Sequence, residues 1–289
     1  MSIFRVKERG VHLYKYSVDK IKLEFRYIKL NRVQNFLDDL STCLDTDFKY
    51  YTSNQIVKCK HNFLFDDGKN SFYLGVIPNW HSEDKHDKNI VLEYNPNKIN
   101  PFAFRPLNWL LTTNNNTTRV MNFDIAVDMD IDYNNLRMLK RDKRETFATF
   151  GSSSIETRYL GAMGDNHIKL YNKAIEQKLK NVDWSRFEIT IKSINTLFSN
   201  HDSFCNAIRL PQIYYVDNQI SLDVLKLNDT SRLVLESLID DTDRLYTIKK
   251  YETRKKYEKM LSQFLKPVVI DKTLMFNAYQ EYCKIFNAI

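Results

Sequence analysis

Alternation of polar and apolar side chains dominates the first two thirds of the chain. Residues 19–29 (DKIKLEFRYIK) alternate as a half-buried strand does, and residues 32–44 carry Val33, Phe36, Leu37 and Leu40 at helical spacing. The segment 81–88 (HSEDKHDK) reads as a charged loop. Strand-like segments then follow quickly: Ile90–Tyr94, Val120–Asp130, Thr157–Gly161, His167–Tyr171 and Arg186–Lys192. Between them Pro101–Leu111, Tyr133–Lys143 and Ala174–Lys180 read as helical, and Thr112–Thr118 (TTNNNTT) as a turn. From about residue 221 the period becomes helical, through Leu222, Leu225, Leu227, Leu233, Leu235 and Leu238. A basic helix is expected over 243–264, ended by Pro267. The pattern predicts an α+β fold: a sheet-based domain over 1–200, with 1–85 poorly assigned, and a helical region over 201–289.

Composition removes several function classes. The chain has 289 residues, enough for one large or two modest domains. It holds only 6 Gly, with neither G-x-x-x-x-G-K-[ST] nor G-x-G-x-x-G, so no phosphate-cradling loop is visible. An ATP-driven motor or a dinucleotide enzyme is therefore not expected. Lys plus Arg exceed Asp plus Glu by 43 to 36, a net charge of +7 that suits a polyanionic partner without requiring one. Cys43, Cys59, Cys205 and Cys283 are scattered, with no C-x-x-C, and read as reduced thiols. The first ten residues, MSIFRVKERG, carry charge where a signal peptide is apolar, and no run of about 18 apolar residues occurs. The expectation is a cytoplasmic protein with no membrane partner.

Three strand-like segments carry a central acid. In NFDIAVDMDID (122–132) alternation puts Asp124, Ala126, Asp128 and Asp130 on one face, opposite Ile125, Val127 and Met129. A solvated acidic edge is the plain alternative, but aspartate is depleted in strands, and a bound divalent cation relieves the repulsion of crowded carboxylates. In WSRFEITIK (184–192) Arg186, Glu188 and Thr190 share a face, so Glu188 is either a metal ligand or half of a surface pair with Arg186. Glu93 lies in NIVLEYNPNK before a turn at Asn95–Pro96–Asn97. Together the three acids imply a sheet with one carboxylate-bearing face.

The segment ETRYLGAMGDNHIKLYNKAIEQK (156–178) puts Tyr171 at a strand-to-helix junction, with Lys169 and Lys173 on its side. A tyrosine hydroxyl titrates near 10. It attacks only where cations or a base favour its ionised form, and flanking lysines would also bind phosphate. With 17 tyrosines present, spacing alone does not choose Tyr171 over Tyr159.

Five collinear pieces, VLEYNPNK (91–98), FDIAVDMD (123–130), ETRYLG (156–161), IKLYNK (168–173) and WSRFEITIK (184–192), resemble the Rep_trans family of rolling-circle replication initiators, and the tail RLVLESLIDD with TRKKYEKMLSQF is also similar. The resemblance covers roughly residues 88–265. It implies an antiparallel-sheet nickase domain related by fold to the His-hydrophobe-His endonucleases, but without that metal motif. The isolated histidines here (12, 61, 81, 86, 167, 201) agree. It implies that Tyr171, whose ionised form the neighbouring Lys169 and Lys173 would favour, is the nucleophile, and that Asp124, Glu188, Asp128 and Glu93 lie at a site for Mg²⁺ or Mn²⁺. It implies site-specific nicking and rejoining of origin DNA through a 5′-phosphotyrosine, a hairpin origin, a host helicase and a homodimer.

Ala162–Met163–Gly164–Asp165 departs from the arginine and serine of compared members, which puts local phosphate contacts in doubt. His167 is there either a polar contact or a plain strand residue. DNA binding is expected of Arg186 and of the basic stretch 243–260, through Lys249, Lys250, Arg254, Lys255 and Lys256, where tyrosines interleave; a solvated helix face is the alternative. A conjugative relaxase of an integrative element, or a non-catalytic DNA-binding regulator on the same fold, would share these features.

Overall fold

The computed structural model describes residues 4–7, 13–29, 61–66, 71–78, 87–99, 105–113, 118–139, 146–150, 155–161, 166–192, 200–216 and 226–287, with scattered positions between 31 and 59 and residue 222. In chain order these form β1 (Phe4–Lys7), β2 (Leu13–Lys29), β3 (Lys49–Tyr51), β4 (His61–Asp66), β5 (Ser71–Pro78), β6 (Asp87–Tyr94), α1 (Arg105–Thr113) and β7 (Thr118–Met129). Next come β8 (Leu136–Leu139), β9 (Thr146–Phe150), β10 (Ile155–Leu160), β11 (His167–Asn172), α2 (Lys173–Glu176), β12 (Ser185–Lys192) and α3 (His201–Ala207). The chain continues through β13 (Gln212–Val216), α4 (Asp229–Asp240), α5 (Tyr251–Leu261), β14 (Leu265–Val268) and α6 (Lys272–Asn287).

Eleven of these strands make one antiparallel sheet in the order β3-β4-β5-β6-β2-β7-β12-β11-β10-β9, with β1 against β2. Strict alternation gives the central strands one apolar face. Ile21, Leu23 and Phe25, Phe123, Ile125 and Val127, Phe187, Ile189 and Ile191, and Ile168 and Leu170 all enter a single core. Helices α3 and α6 cover it. The Tyr279 ring stacks on Phe123 at 4.8 Å and on Phe204 at 5.4 Å, and the Tyr94 and Tyr282 hydroxyls bond to each other. A smaller core joins Leu235 and Leu238 of α4 to Leu245, Tyr257, Leu261, Phe264 and Leu265. Beside it lies a second sheet, β14-β13-β8. The sheet's core therefore reaches past residue 200 to α3 and α6, while α4 and α5 pack in the smaller core with residues of β13 and β14.

The expected strands over 19–29, 90–94, 120–130, 157–161, 167–171 and 186–192 coincide with β2, β6, β7, β10, β11 and β12 within a few residues. Three helical expectations hold in part or not at all. In the stretch Tyr133–Lys143 the described residues, 133–139, form a single 3₁₀ turn, Tyr133–Asn135, capped by Asp132, and then β8, because residues 136–139 pair with β13. Beyond Tyr171 only one helical turn forms before Lys178 takes a φ of 56°. The basic stretch splits into a 3₁₀ turn, Thr242–Thr247, and α5. Pro267 sits within β14, tolerated because that strand is an edge. Most of the helix expected over 32–44, the loop 81–86, the turn 114–117, Ala162–Asp165 and Leu225 lie outside the described residues. Among the described residues no helix is long and apolar enough to cross a membrane, and Cys59, Cys205 and Cys283 are free thiols.

Candidate active site

The other face of the same strands is polar. In β7, Asp124, Ala126 and Asp128 lie opposite Thr190, Glu188 and Arg186 of β12. Glu188 and Arg186 lie in turn opposite Lys169 and Tyr171 of β11. On the far side of β7, Lys20 of β2 faces Asp124. A bulge at Asp19 makes this possible. Val18 pairs with Ile125 and Lys20 with Asp124, so one extra residue reverses the parity of β2. Val18 thereby stays in the core while Lys20 reaches the polar face. On this face Tyr171, Glu188, Asp124, Glu93, Lys169 and Lys20 line a cleft of about 620 Å³.

At its centre the Tyr171 hydroxyl donates to Glu188 Oε1 at 2.5 Å. Lys173 Nζ stands 3.5 Å from the same hydroxyl, and Lys169 Nζ lies 3.5 Å from Glu188 Oε2. Burial first, then the charge of Glu188, pushes the Tyr171 hydroxyl far above its ordinary range, so the phenol is held protonated. Burial also raises the Glu188 carboxyl, against the Tyr171 hydrogen bond and the charge of Lys169. The flanking lysines thus do not make a phenolate directly, because Lys169 is committed to Glu188 and Lys173 also pairs with Glu176. The nearest proton acceptor for the tyrosine is Glu188. Asn172 starts the turn after Tyr171 by accepting from Ile175 N at 3.0 Å, which ends β11 one residue past Tyr171.

Two candidates serve elsewhere. Asp128, expected among the metal ligands, is enclosed: Arg186 Nε reaches Oδ1 at 2.6 Å, Nη2 reaches Oδ2 at 2.9 Å, and Trp184 Nε1 donates to Oδ1 at 2.9 Å. Both of its oxygens are engaged by a fork-shaped cation, and it is not among the residues that line the cleft. Arg186, expected to meet DNA, is 7% exposed and also bonds Asp19 at 2.9 Å. Burial alone would lower its pKa, but Asp128 and Asp19 raise it, so it stays charged. Its fit is to a buried pair and not to a phosphate. Asp130, at the end of β7, is exposed. His167 is buried, with Nδ1 2.9 Å from the Gly161 carbonyl oxygen and its ring stacked on Tyr159 at 5.6 Å, the geometry of a structural residue.

Each remaining acid has a lysine. Lys20 Nζ lies 3.0 Å from Asp124 Oδ2, and Lys22 Nζ lies 3.3 Å from Glu93 Oε2. Burial of Lys20, which favours the neutral amine, is outweighed by the charges of Asp124, Glu93 and Glu188, and its pKa rises. Among the described residues no three acidic, His or Cys side chains converge closely enough to enclose an ion. Mg²⁺, however, commonly uses one or two carboxylates, with water and substrate phosphate completing its shell. Asp124 Oδ1 is buried with no hydrogen-bond partner, and Glu188 lines the same cleft, so these two fit such an open site. Asp19, Lys20 and Trp184 escaped the sequence reading. The bulge that aims the first two has no signature in the alternation, and Trp184 carries no sign of its partner.

The basic stretch runs from the 3₁₀ turn Thr242–Thr247 into α5. Lys249, Lys250, Lys255 and Lys256 are exposed, and Arg254 is half-buried. The Arg254 and Lys255 cations sit 5.7 Å from the Tyr251 ring centre, and Lys255 also pairs with Glu258 at 2.8 Å.

No protein-family model matches the chain, and no curated protein matches it. Among solved structures it is similar to a rolling circle replication initiator protein from Geobacillus stearothermophilus, at 16% identity and a TM-score of 0.38, covering 63% of this chain and 76% of that one.

Proposed function

We propose that this protein is a metal-assisted, site-specific DNA nickase that starts rolling-circle replication by cutting one strand of its origin with Tyr171. The observation that carries the reading is the 2.5 Å hydrogen bond from the Tyr171 hydroxyl to the buried Glu188, with Lys173 at the same oxygen. A tyrosine paired with a base and beside a cation is the arrangement that nucleophilic attack on phosphorus needs.

Tyr171 Oη attacks the scissile phosphorus while its proton passes to Glu188. The bond from phosphorus to the 3′ oxygen breaks. That oxygen takes a proton from water and becomes a free 3′-OH, while the 5′ phosphate remains on Tyr171. Lys173 and Lys169 face the charge that builds on the phosphoryl oxygens. In the reverse direction the 3′-OH gives up its proton to solvent and attacks the phosphotyrosine, and Glu188 returns its proton to the departing Tyr171 oxygen, so the strand is rejoined without external energy. Asp124 and Glu188 would hold a Mg²⁺ or Mn²⁺ ion, whose contribution when bound is to polarise and align the phosphate. A cleft of about 620 Å³ takes extruded nucleotides better than a duplex, which suits a strand presented at a hairpin. The exposed cations of the α5 region would grip the flanking duplex as a separate activity. With no nucleotide-binding loop in the sequence, unwinding falls to a host helicase.

The test is incubation with single-stranded DNA spanning inverted repeats of the gene's own replicon. The readout is a covalent protein–DNA adduct on a denaturing gel, mapped by mass spectrometry. An adduct on Tyr171 with a free 3′-OH supports the reading. An adduct on another residue, or none on any such DNA, overturns it.

A further inference from the structure

The polar face neutralises its carboxylates one by one: Lys20 with Asp124, Lys22 with Glu93 and Lys169 with Glu188. Of these lysines Lys20 stands apart. The β2 bulge aims it at the most buried acid of the set, Asp124, which is 4% exposed, while the Lys20 side chain itself is 37% exposed. Its ammonium meets Oδ2, and Oδ1 is buried without a hydrogen-bond partner. A long flexible stem with a half-exposed head can leave at little cost, whereas the aspartate cannot follow it into water.

We propose that Lys20 is the resident cation of this cleft and competes with a divalent ion for Asp124, so that metal binds tightly only after the ammonium has moved away to an incoming phosphate. The identity of that phosphate as DNA rests on the nickase reading; the competition between ammonium and ion does not. With Lys20 in place an entering ion meets a carboxylate already neutralised. Without it the ion meets an uncompensated buried charge, and the attraction is correspondingly larger. The lysine would thereby keep the cleft stable in the absence of metal and delay full charge on the phosphate until DNA is seated.

The experiment titrates Mn²⁺ into the full chain without DNA, following free Mn²⁺ by electron paramagnetic resonance. Tyr171→Phe is the parent, so no cutting complicates later additions. Lys20→Met and Lys20→Gln should bind Mn²⁺ roughly ten-fold more tightly than the parent, a modest share of what one nearby unit charge changes. Lys20→Arg should stay weak, and Asp124→Asn added to Lys20→Gln should erase the gain. A single-stranded oligonucleotide should tighten Mn²⁺ binding to the parent more than to Lys20→Gln. Equal or weaker Mn²⁺ binding by folded Lys20→Gln overturns the proposal, as does equally tight binding by Lys20→Arg. Absence of any Tyr171 adduct would instead defeat the nickase reading and leave the Mn²⁺ titration standing.

Discussion

Tyr171 faces Arg186 across the β11–β12 ladder, yet its hydroxyl turns diagonally to Glu188, 2.5 Å away. Arg186 has only donors to offer, so it cannot accept from the phenol, and its guanidinium is turned to Asp128 and Asp19. The buried arginine thus acts as a wall that leaves the tyrosine one acceptor, and that acceptor is a base. Several outcomes distinguish this arrangement from a tyrosine merely satisfied in a polar cleft.

Tyr171→Phe removes one hydroxyl and little volume. Covalent adduct should fall below detection, while oligonucleotide affinity changes by about two-fold or less, since the loss is confined to the chemical step. Tyr159→Phe should keep the adduct. A denaturing gel beside a fluorescence-anisotropy titration separates the two effects, and a surviving Tyr171→Phe adduct would remove Tyr171 from its role.

Glu188 sets a pH dependence. Burial raises its folded-state pKa, so it keeps its proton above the ordinary glutamate value of about 4.3 and is a competent base only at higher pH. Adduct formation should rise through an acidic limb displaced above that value, and Glu188→Gln should remove the limb along with most of the rate. For stability the sign is opposite. The unfolded chain ionises first, so the contribution of Glu188 declines as pH rises from about 4.3 towards its folded value. Thermal unfolding of Glu188→Gln across pH should lack that decline.

The Arg186–Asp128 pair should behave as structure. Asp128→Asn leaves the buried guanidinium short of its counter-charge and should destabilise the fold by about 3 kcal/mol or more in chelator. Denaturant unfolding measures this. If Asp128→Asn unfolds like the parent but loses Mn²⁺ affinity, Asp128 is a ligand after all.

Neutralising Lys249, Lys250, Lys255 and Lys256 together should weaken origin-duplex binding and reduce the slope of log affinity against log salt by about 0.9 for each phosphate that is no longer neutralised. Adduct formation on a short single-stranded oligonucleotide should survive, because these residues lie in the α4–α5 unit and the cleft lies on the sheet. An unchanged salt slope would make this surface only a solvated helix face.

Read as a pattern, the sequence determined where most of the central strands run and which side chains within each would share a face. A period of two assigns faces within each strand without reference to any partner. Hence Asp124, Glu188, Glu93, Lys169 and Tyr171 could be expected on polar faces from the alternation alone. The tertiary structure decided the rest. Strand order brings β11, β12, β7 and β2 side by side, although residues 20 and 171 are far apart in sequence. Pairing with β13 turned a helical pattern at 136–139 into a strand, and packing on the sheet drew α3 and α6 away from the helical unit. A single bulged residue, Asp19, put Lys20 against Asp124, and the reach of Arg186 made Asp128 its partner. Faces are local, whereas partners depend on register and on the strand that lies next door, which periodicity does not encode.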